Sequence, residues 1–211
     1  MTKPLHAAVS VWPQPSIIIW IATDGNDITG TGSVDAPYKT IERGLLDFTT
    51  GKQLRLKDGI YSPANTIAID GISGSILAEN PNEATIKPVL ATIDNACISI
   101  RNVDRFSITG IDIVQPDDPT DNYIGLYIDN VTNFVVFSCN INAFDFPSDN
   151  TGYGIFASGS GRIEKCSVYN ITGNEIYGIK SQGLGVIDCE VTALSGTTVI
   201  GIDTLDNYTI I

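Results

Sequence analysis

The sequence predicts an all-β chain wound as a single parallel β-helix, and three observations carry that reading. A phrase recurs through the second half, at Ile124-Gly125-Leu126, Tyr153-Gly154-Ile155, Tyr177-Gly178-Ile179 and Ile200-Gly201-Ile202, with its glycines 29, 24 and 23 residues apart. A second phrase, centred on Cys139, Cys166 and Cys189, follows the first three and repeats at intervals of 27 and 23 residues. Within each run the apolar residues mostly alternate with polar ones, the period of a strand with one face turned inward. Short β-branched runs repeating at such intervals mark a solenoid. The Gly, Asn and Asp turns between them leave no room for crossover helices.

Taken from the N-terminus, residues 1–16 contain two prolines between Trp12 and Ser16, an isolated Trp12 and no regular pattern, and read as an extended arm. The β-helix domain is expected over residues 17–211. Asp24-Gly25-Asn26-Asp27, with Gly30 and Gly32 after it, faintly suggests a calcium loop but lacks a closing bidentate acid, and a tight turn is the expected element. From about residue 39 to 50, Ile41, Leu45, Leu46 and Phe48 fall near one helical face, with Thr40 placed to cap and Gly51 to stop the helix. One amphipathic helix before the first regular coil would cover the open end of the core.

Further along, Gln53–Leu56, Ile67–Ile69 and Ser75–Leu77 each read as a strand followed by its turn. Six apolar positions from Ile98 to Ile113 lie 28 residues before their counterparts from Leu126 to Ile141, which extends the regular repeat one coil upstream. Stacked coils then form inward ladders: Ile108, Val136, Ile163, Val186; Ile111, Cys139, Cys166, Cys189; and Ile113, Ile141, Val168, Val191. The three cysteines of one ladder are expected as reduced core thiols, because parallel Cβ vectors suit a disulfide poorly. Cys97 falls in another slot, beside the glycines. At the other end, Val199 to Asp203 opens a new coil and Tyr208 to Ile211 stops within it, an uncovered end suited to another subunit.

Net charge narrows the partners. The chain carries −12 with only 12 Lys and Arg, which argues against nucleic acid and against an anionic membrane surface. No apolar run is long enough to span a bilayer, and Met1 to Trp12 lacks the basic start and unbroken apolar core of a secretory signal. The Asn-X-Thr triplets at Asn130, Asn170 and Asn207 fit turn or strand-edge positions better than glycosylation sites.

Three segments together resemble the opening of pectate-lyase-like right-handed β-helix proteins. They are Ile19 to Asp27, Ala36-Pro37-Tyr38-Lys39-Thr40-Ile41, and Leu54 to Tyr61. The resemblance covers roughly residues 19–61 and implies the right-handed coil. It speaks for the fold rather than for a chemistry, since that superfamily holds polysaccharide lyases, glycoside hydrolases, epimerases, phage tailspikes and other virion proteins. Its hydrolases use clustered aspartates with a Gly-His-Gly-type motif and its epimerases an Asp-Pro-His motif, neither of which occurs here. The sole histidine, His6, lies in the arm. Its lyases use a basic residue beside calcium-binding carboxylates.

For that lyase pattern the coils offer Arg101, Arg105, Arg162, Lys165 and Lys180, with Asp104 and Asp112 near the first two in sequence. The plainer reading, adopted here, makes them outward residues of alternating strands, solvated and loosely paired. Two acidic segments, Asp117, Asp118 and Asp121, then Asp145 and Asp149, would lie side by side on stacked coils and could bind calcium or hold two acids in glycosidase geometry. Their Asp, Asn, Pro and Ser content is also ordinary turn composition. No catalytic, cofactor or metal residue is therefore assigned.

The function expected from these features is non-enzymatic: a structural protein of a phage-like virion, most resembling the small β-helix proteins of virions. In that reading it is a capsid decoration, or cement, protein rather than a tail protein. It would form a homotrimer, dock on a virion shell or tail protein through residues 1–16, and reach the outside by lysis without a signal peptide. The alternative is a carbohydrate-active or carbohydrate-binding β-helix, as in a tailspike or a polysaccharide lyase, with a surface polysaccharide as partner. Fold alone does not decide between them.

Overall fold

The structure, a computed structural model, describes residues 17–90, 93–115, 124–145 and 151–205. The expected arm of residues 1–16 and the last residues from 206 lie outside this range. One sheet runs β1 (Ile17–Ile21), β2 (Lys52–Leu56), β5 (Gly74–Ala78), β7 (Ala96–Thr109), β9 (Ile124–Phe137), β11 (Thr151–Glu164), β13 (Glu175–Ile187) and β15 (Thr198–Leu205), with β4 (Ile67–Asp70) also on β7. The second sheet runs β3 (Gly59–Tyr61), β6 (Ala84–Ile86), β8 (Ile111–Val114), β10 (Asn140–Asp145), β12 (Ser167–Thr172) and β14 (Glu190–Ser195). Every pairing among these strands is parallel, so the chain winds as the repeat requires. Among the described residues, no helix is long and apolar enough to cross a membrane.

The core is built from the predicted ladders. Ile76, Ile108, Val136, Ile163 and Val186 are successive register partners across the first sheet. Ile86, Ile113, Ile141, Val168 and Val191 are partners across the second. Phe106 and Phe134 stack inside with ring centroids 6.2 Å apart and planes 12° from parallel. Strand spacing in a sheet is close to 4.8 Å, so identical slots on successive coils bring like side chains into van der Waals contact.

All four cysteines are free thiols, and Cys97, Cys139 and Cys166 are buried. The thiols of Cys139, Cys166 and Cys189 each point to the carbonyl two residues earlier, at 3.5, 3.4 and 3.3 Å. Burial alone pushes the Cys97 thiol well above the ordinary range, and contact with the neighbouring thiol of Cys139 does most to raise Cys166. These cysteines act as small apolar packing units.

What turns the strands into a coil is a set of left-handed corners. The long strands β7 and β9 bend at Asn102 and Asn130, both with φ 54°. Asn130 Nδ2 donates to Asn102 Oδ1, and Asn102 Nδ2 to Asp70 Oδ1, each at 2.8 Å, so the corners are tied along the stack. In the next coil the corner passes to Gly159 and Gly161, with φ 135° and 153°. There an added Cβ would lie 2.1 Å from the Val131 carbonyl oxygen and 2.0 Å from that of Phe134. A second corner is made by Gly110, Ser138, Lys165 and Asp188, with φ 68°, 53°, 54° and 49°. The amides of Gly110, Ser138 and Lys165 donate to the next coil's Phe137, Glu164 and Ile187 carbonyls, each at 3.0 Å. Asn and Gly tolerate this region best.

The expected helix is present but shorter than residues 39–50: α1 spans Ile41–Asp47. Thr40 caps it, its hydroxyl accepting from the Arg43 amide at 3.2 Å. Asp27 secures the cap, accepting from the Lys39 and Thr40 amides at 2.8 and 3.0 Å and from the Thr40 hydroxyl at 2.8 Å. Gly44 lets the helix sit close to β1, since a Cβ there would be 2.6 Å from Ile21 Cδ1. Phe48 closes the end edge-on against Phe106, at 6.2 Å and 71°. Leu46 corrects the expected helical face: it is 78% exposed. The helix stops one residue before its apolar spacing would end, because Phe48 turns extended to reach the core.

The left-handed corner at Asn130 implies a graded response to substitution there. Asn130→Ala should lose about 1–3 kcal/mol of stability, combining left-handed strain with the cut ladder bond. Asn130→Gly keeps the permitted φ and should lose less. Equilibrium denaturation of both variants checks this, and equal losses would contradict the role given to the left-handed corner.

Candidate functional site

Residues that alternate away from the core of the first sheet form outward rows running along the coil axis. One row places Ser99, Tyr127, Phe156, Lys180 and Asp203 on successive strands, β7 to β15. The adjacent row places Ile124, Tyr153, Tyr177 and Ile200 on β9 to β15. Where the two rows meet, four aromatic rings collect on three neighbouring coils. Tyr127 stacks on Phe156 at 5.3 Å and 10°, and Tyr153 on Tyr177 at 5.1 Å and 20°. Phe156 meets Tyr153 edge-on at 5.5 Å and 74°, joining the pairs into one cluster. Tyr127, Tyr153 and Phe156 are half-buried, so ring surface remains open to solvent.

Polar groups fix the cluster. The Lys180 ammonium lies 4.4 Å from the Tyr177 ring centre and 5.5 Å from that of Tyr153. A cation over aromatic faces is held by the ring quadrupole. Tyr177 donates its hydroxyl to Glu175 at 2.9 Å, and Thr151 donates to the other oxygen of that carboxylate at 2.9 Å. Those two bonds hold the Glu175 carboxyl below its usual range, the Tyr177 bond first. The phenols of Tyr127 and Tyr153 are raised, first by burial and then by nearby acids: Asp129 and Asp94 for the former, Glu175 and Asp203 for the latter. At neutral pH this face therefore offers aromatic surface, phenol donors and carboxylate acceptors.

The basic residues considered from the sequence fall elsewhere or into pairs. Arg101, on β7, meets Asp94 at 3.4 Å and Asp70 at 3.6 Å. Arg105 lies beyond the Asn102 corner on the same strand, with Asp104 beside it and exposed. Asp112 lies on β8 in the second sheet, where burial raises its pKa against the opposing bond from Asn140 Nδ2 at 2.8 Å. A lyase-like grouping of Arg101 and Arg105 with Asp112 is thus not assembled. Arg162 pairs with Glu164 at 3.1 Å, and the Lys165 ammonium lies 5.4 Å from the Phe137 ring centre. Only Lys180, among these five, joins the aromatic cluster.

The remaining sequence candidates resolve more simply. Asn26 Oδ1 accepts from the Ile28 and Thr29 amides at 2.8 and 2.9 Å, and Asp27 is engaged at the helix cap, so this segment is the tight turn. Asn130 and Asn170 occupy left-handed positions with side chains bonded to the preceding coil. Asp117, Asp118, Asp121 and Asp149, with His6 and Asn207, lie outside the described residues. Among the described residues, no three His, Cys, Asp or Glu side chains are grouped to hold a metal ion. A small cleft of about 160 Å³ lies beside α1, lined by Thr40, Glu42 and Tyr61 among others. Within it Glu42 already accepts from the Ala64 amide at 2.8 Å and Tyr61 donates to the Lys57 carbonyl at 2.7 Å.

The aromatic cluster has a faint signal in the sequence. Tyr127, Phe156 and Lys180 each lie three residues after the first residue of a repeated phrase, at Ile124, Tyr153 and Tyr177. That offset marks one outward row.

No protein-family model matches the sequence, and no curated protein matches it. Solved structures do match in shape. Pectin methylesterase PemA from Erwinia chrysanthemi superposes with a TM-score of 0.54 at 11% identity, over 83% of this chain and 66% of that one. A pectin methylesterase in complex with a hexasaccharide gives 0.56 at 12% identity, over 84% and 66%. The Aspergillus niger pectin methylesterase gives 0.53 at 15% identity, over 88% and 69%. This chain thus spans slightly less than two thirds of the first two. At such identities the likeness concerns architecture: the chain has the right-handed parallel β-helix fold of pectate-lyase-like proteins.

Proposed function

We propose that this chain is a non-enzymatic saccharide-binding β-helix that holds a glycan chain against the outward face of its first sheet. The observation that carries the reading is an aromatic cluster on three coils in which Tyr127, Phe156 and Tyr153 are half-buried and the buried Tyr177 packs against Tyr153. Partly exposed aromatic surface with polar groups at its edge suits a sugar ring, which has apolar C–H faces and hydroxyls around its rim. The cluster sits on strands rather than loops, so its geometry is set before any ligand arrives. Arg101, on the strand beside Tyr127, is engaged in ion pairs with Asp94 and Asp70, which favours holding over bond cleavage. The shape likeness to pectin methylesterases, one of them in complex with a hexasaccharide, supports a carbohydrate ligand.

The Tyr153→Ala/Phe156→Ala double variant should bind glycans at least about tenfold more weakly, a loss of roughly 1.4 kcal/mol. Leu46→Ala, on the exposed face of the distant helix, should bind as the parent does. Glycan-array screening followed by calorimetry checks both, with circular dichroism to confirm the fold; if the double variant unfolds, Tyr153→Leu serves in its place. Unchanged affinity in the folded cluster variants would contradict the proposal.

A second reading places the same module in a phage-like virion, as a homotrimeric decoration protein docked through residues 1–16. It is favoured by the proline-bearing, unpatterned sequence of that segment, which suits an arm ordered by a partner. Light scattering should then show a trimer at micromolar concentration, and a clean monomer would count against it.

A further inference from the structure

Building on the saccharide-binding reading, we infer that the aromatic face selects neutral saccharide chains and discriminates against polyuronates and other acidic ones. The charges around the rings point that way. Among the described residues, four acids bear on the cluster: Asp94 and Asp129 beside Tyr127, and Glu175 and Asp203 beside Tyr153 and Tyr177. Among the same residues two bases face them, and both are engaged. Arg101 bridges Asp94 and Asp70, and Lys180 lies over the faces of Tyr177 and Tyr153 beside its register partner Asp203.

Four acids against two bases leave this face acidic, on a chain whose net charge is −12. A uronate carboxylate brought onto the rings would meet like charge at several sites within a Debye length, with no unengaged cation beside the rings among the described residues to receive it. Lys180 could turn toward such a carboxylate only by leaving the two rings and the acids around them. Sugar hydroxyls face the opposite situation. They are donors, and the rim offers carboxylate acceptors at Glu175, Asp129 and Asp203, while the apolar ring faces meet aromatic surface. Discrimination here comes from repulsion built into the rim as much as from attraction at the rings.

The test uses the full chain against β-glucan, galactan and xylan as neutral probes, and polygalacturonate and alginate as acidic ones, at low salt and at about 0.15 M. At least one neutral chain should bind, with both acidic chains weaker by about tenfold or more at low salt. Raising the salt should narrow that gap. Glu175→Gln with Asp203→Asn should improve acidic-chain binding severalfold. Acidic chains bound as tightly as neutral ones at low salt, or unaffected by the double variant, would overturn this inference while leaving the saccharide-binding reading intact. No binding to any probe would overturn both.

Discussion

The structure depends on inward side chains meeting their counterparts one strand away, coil after coil. Strands in a sheet lie close to 4.8 Å apart, which is near the contact distance of β-branched side chains, so Ile108, Val136, Ile163 and Val186 pack as a continuous column. Each coil alone could not bury its apolar face, and each is stable only because its neighbours cover it. The same spacing acts on the outside. There it stacks Tyr127 on Phe156 and Tyr153 on Tyr177, so one constraint generates both the core and the proposed binding face.

A column of this kind needs corners that repeat, and the corners are where the chain uses unusual backbone. Asn102 and Asn130 hold left-handed φ and bond to one another, whereas Gly159 and Gly161 solve the same problem in the next coil without a side chain. The switch coincides with register shifts around Ala157 to Gly161. At the N-terminal end the requirement is different: the column must be closed rather than continued. Helix α1, capped through Thr40 and Asp27, presses Gly44 and Phe48 onto the first coils and does this.

The ladders were legible in the sequence because burial demands the same residue class at a fixed interval, and three of them were assigned position by position. The corners were not. Left-handed backbone at Asn130, Ser138, Lys165, Asp188 and Ala193 is shared by residues with little else in common, so composition does not mark it. The helix was legible as an element but not in extent, since Leu46 fits the apolar spacing and still faces solvent. The aromatic site was hidden for another reason. Tyr153 and Tyr177 stand within a repeated phrase, but their partners Tyr127 and Phe156 come from an adjacent outward row, and only the register brings the two rows together. Conversely, Arg101, Arg105 and Asp112 are close in sequence yet separate onto different arms of the coil, because the corners at Asn102 and Gly110 fall between them.

We propose that glycan recognition occurs on the outward aromatic face of the first sheet. The most direct measurement is residue-resolved NMR of the labelled chain titrated with a neutral oligosaccharide. Ring resonances of Tyr127, Tyr153, Phe156 and Tyr177 should shift together with a single affinity, while those of Tyr38 and Tyr61 beside the helix stay still. Shifts confined to the cleft beside α1, or no shifts at saturating ligand, would contradict it.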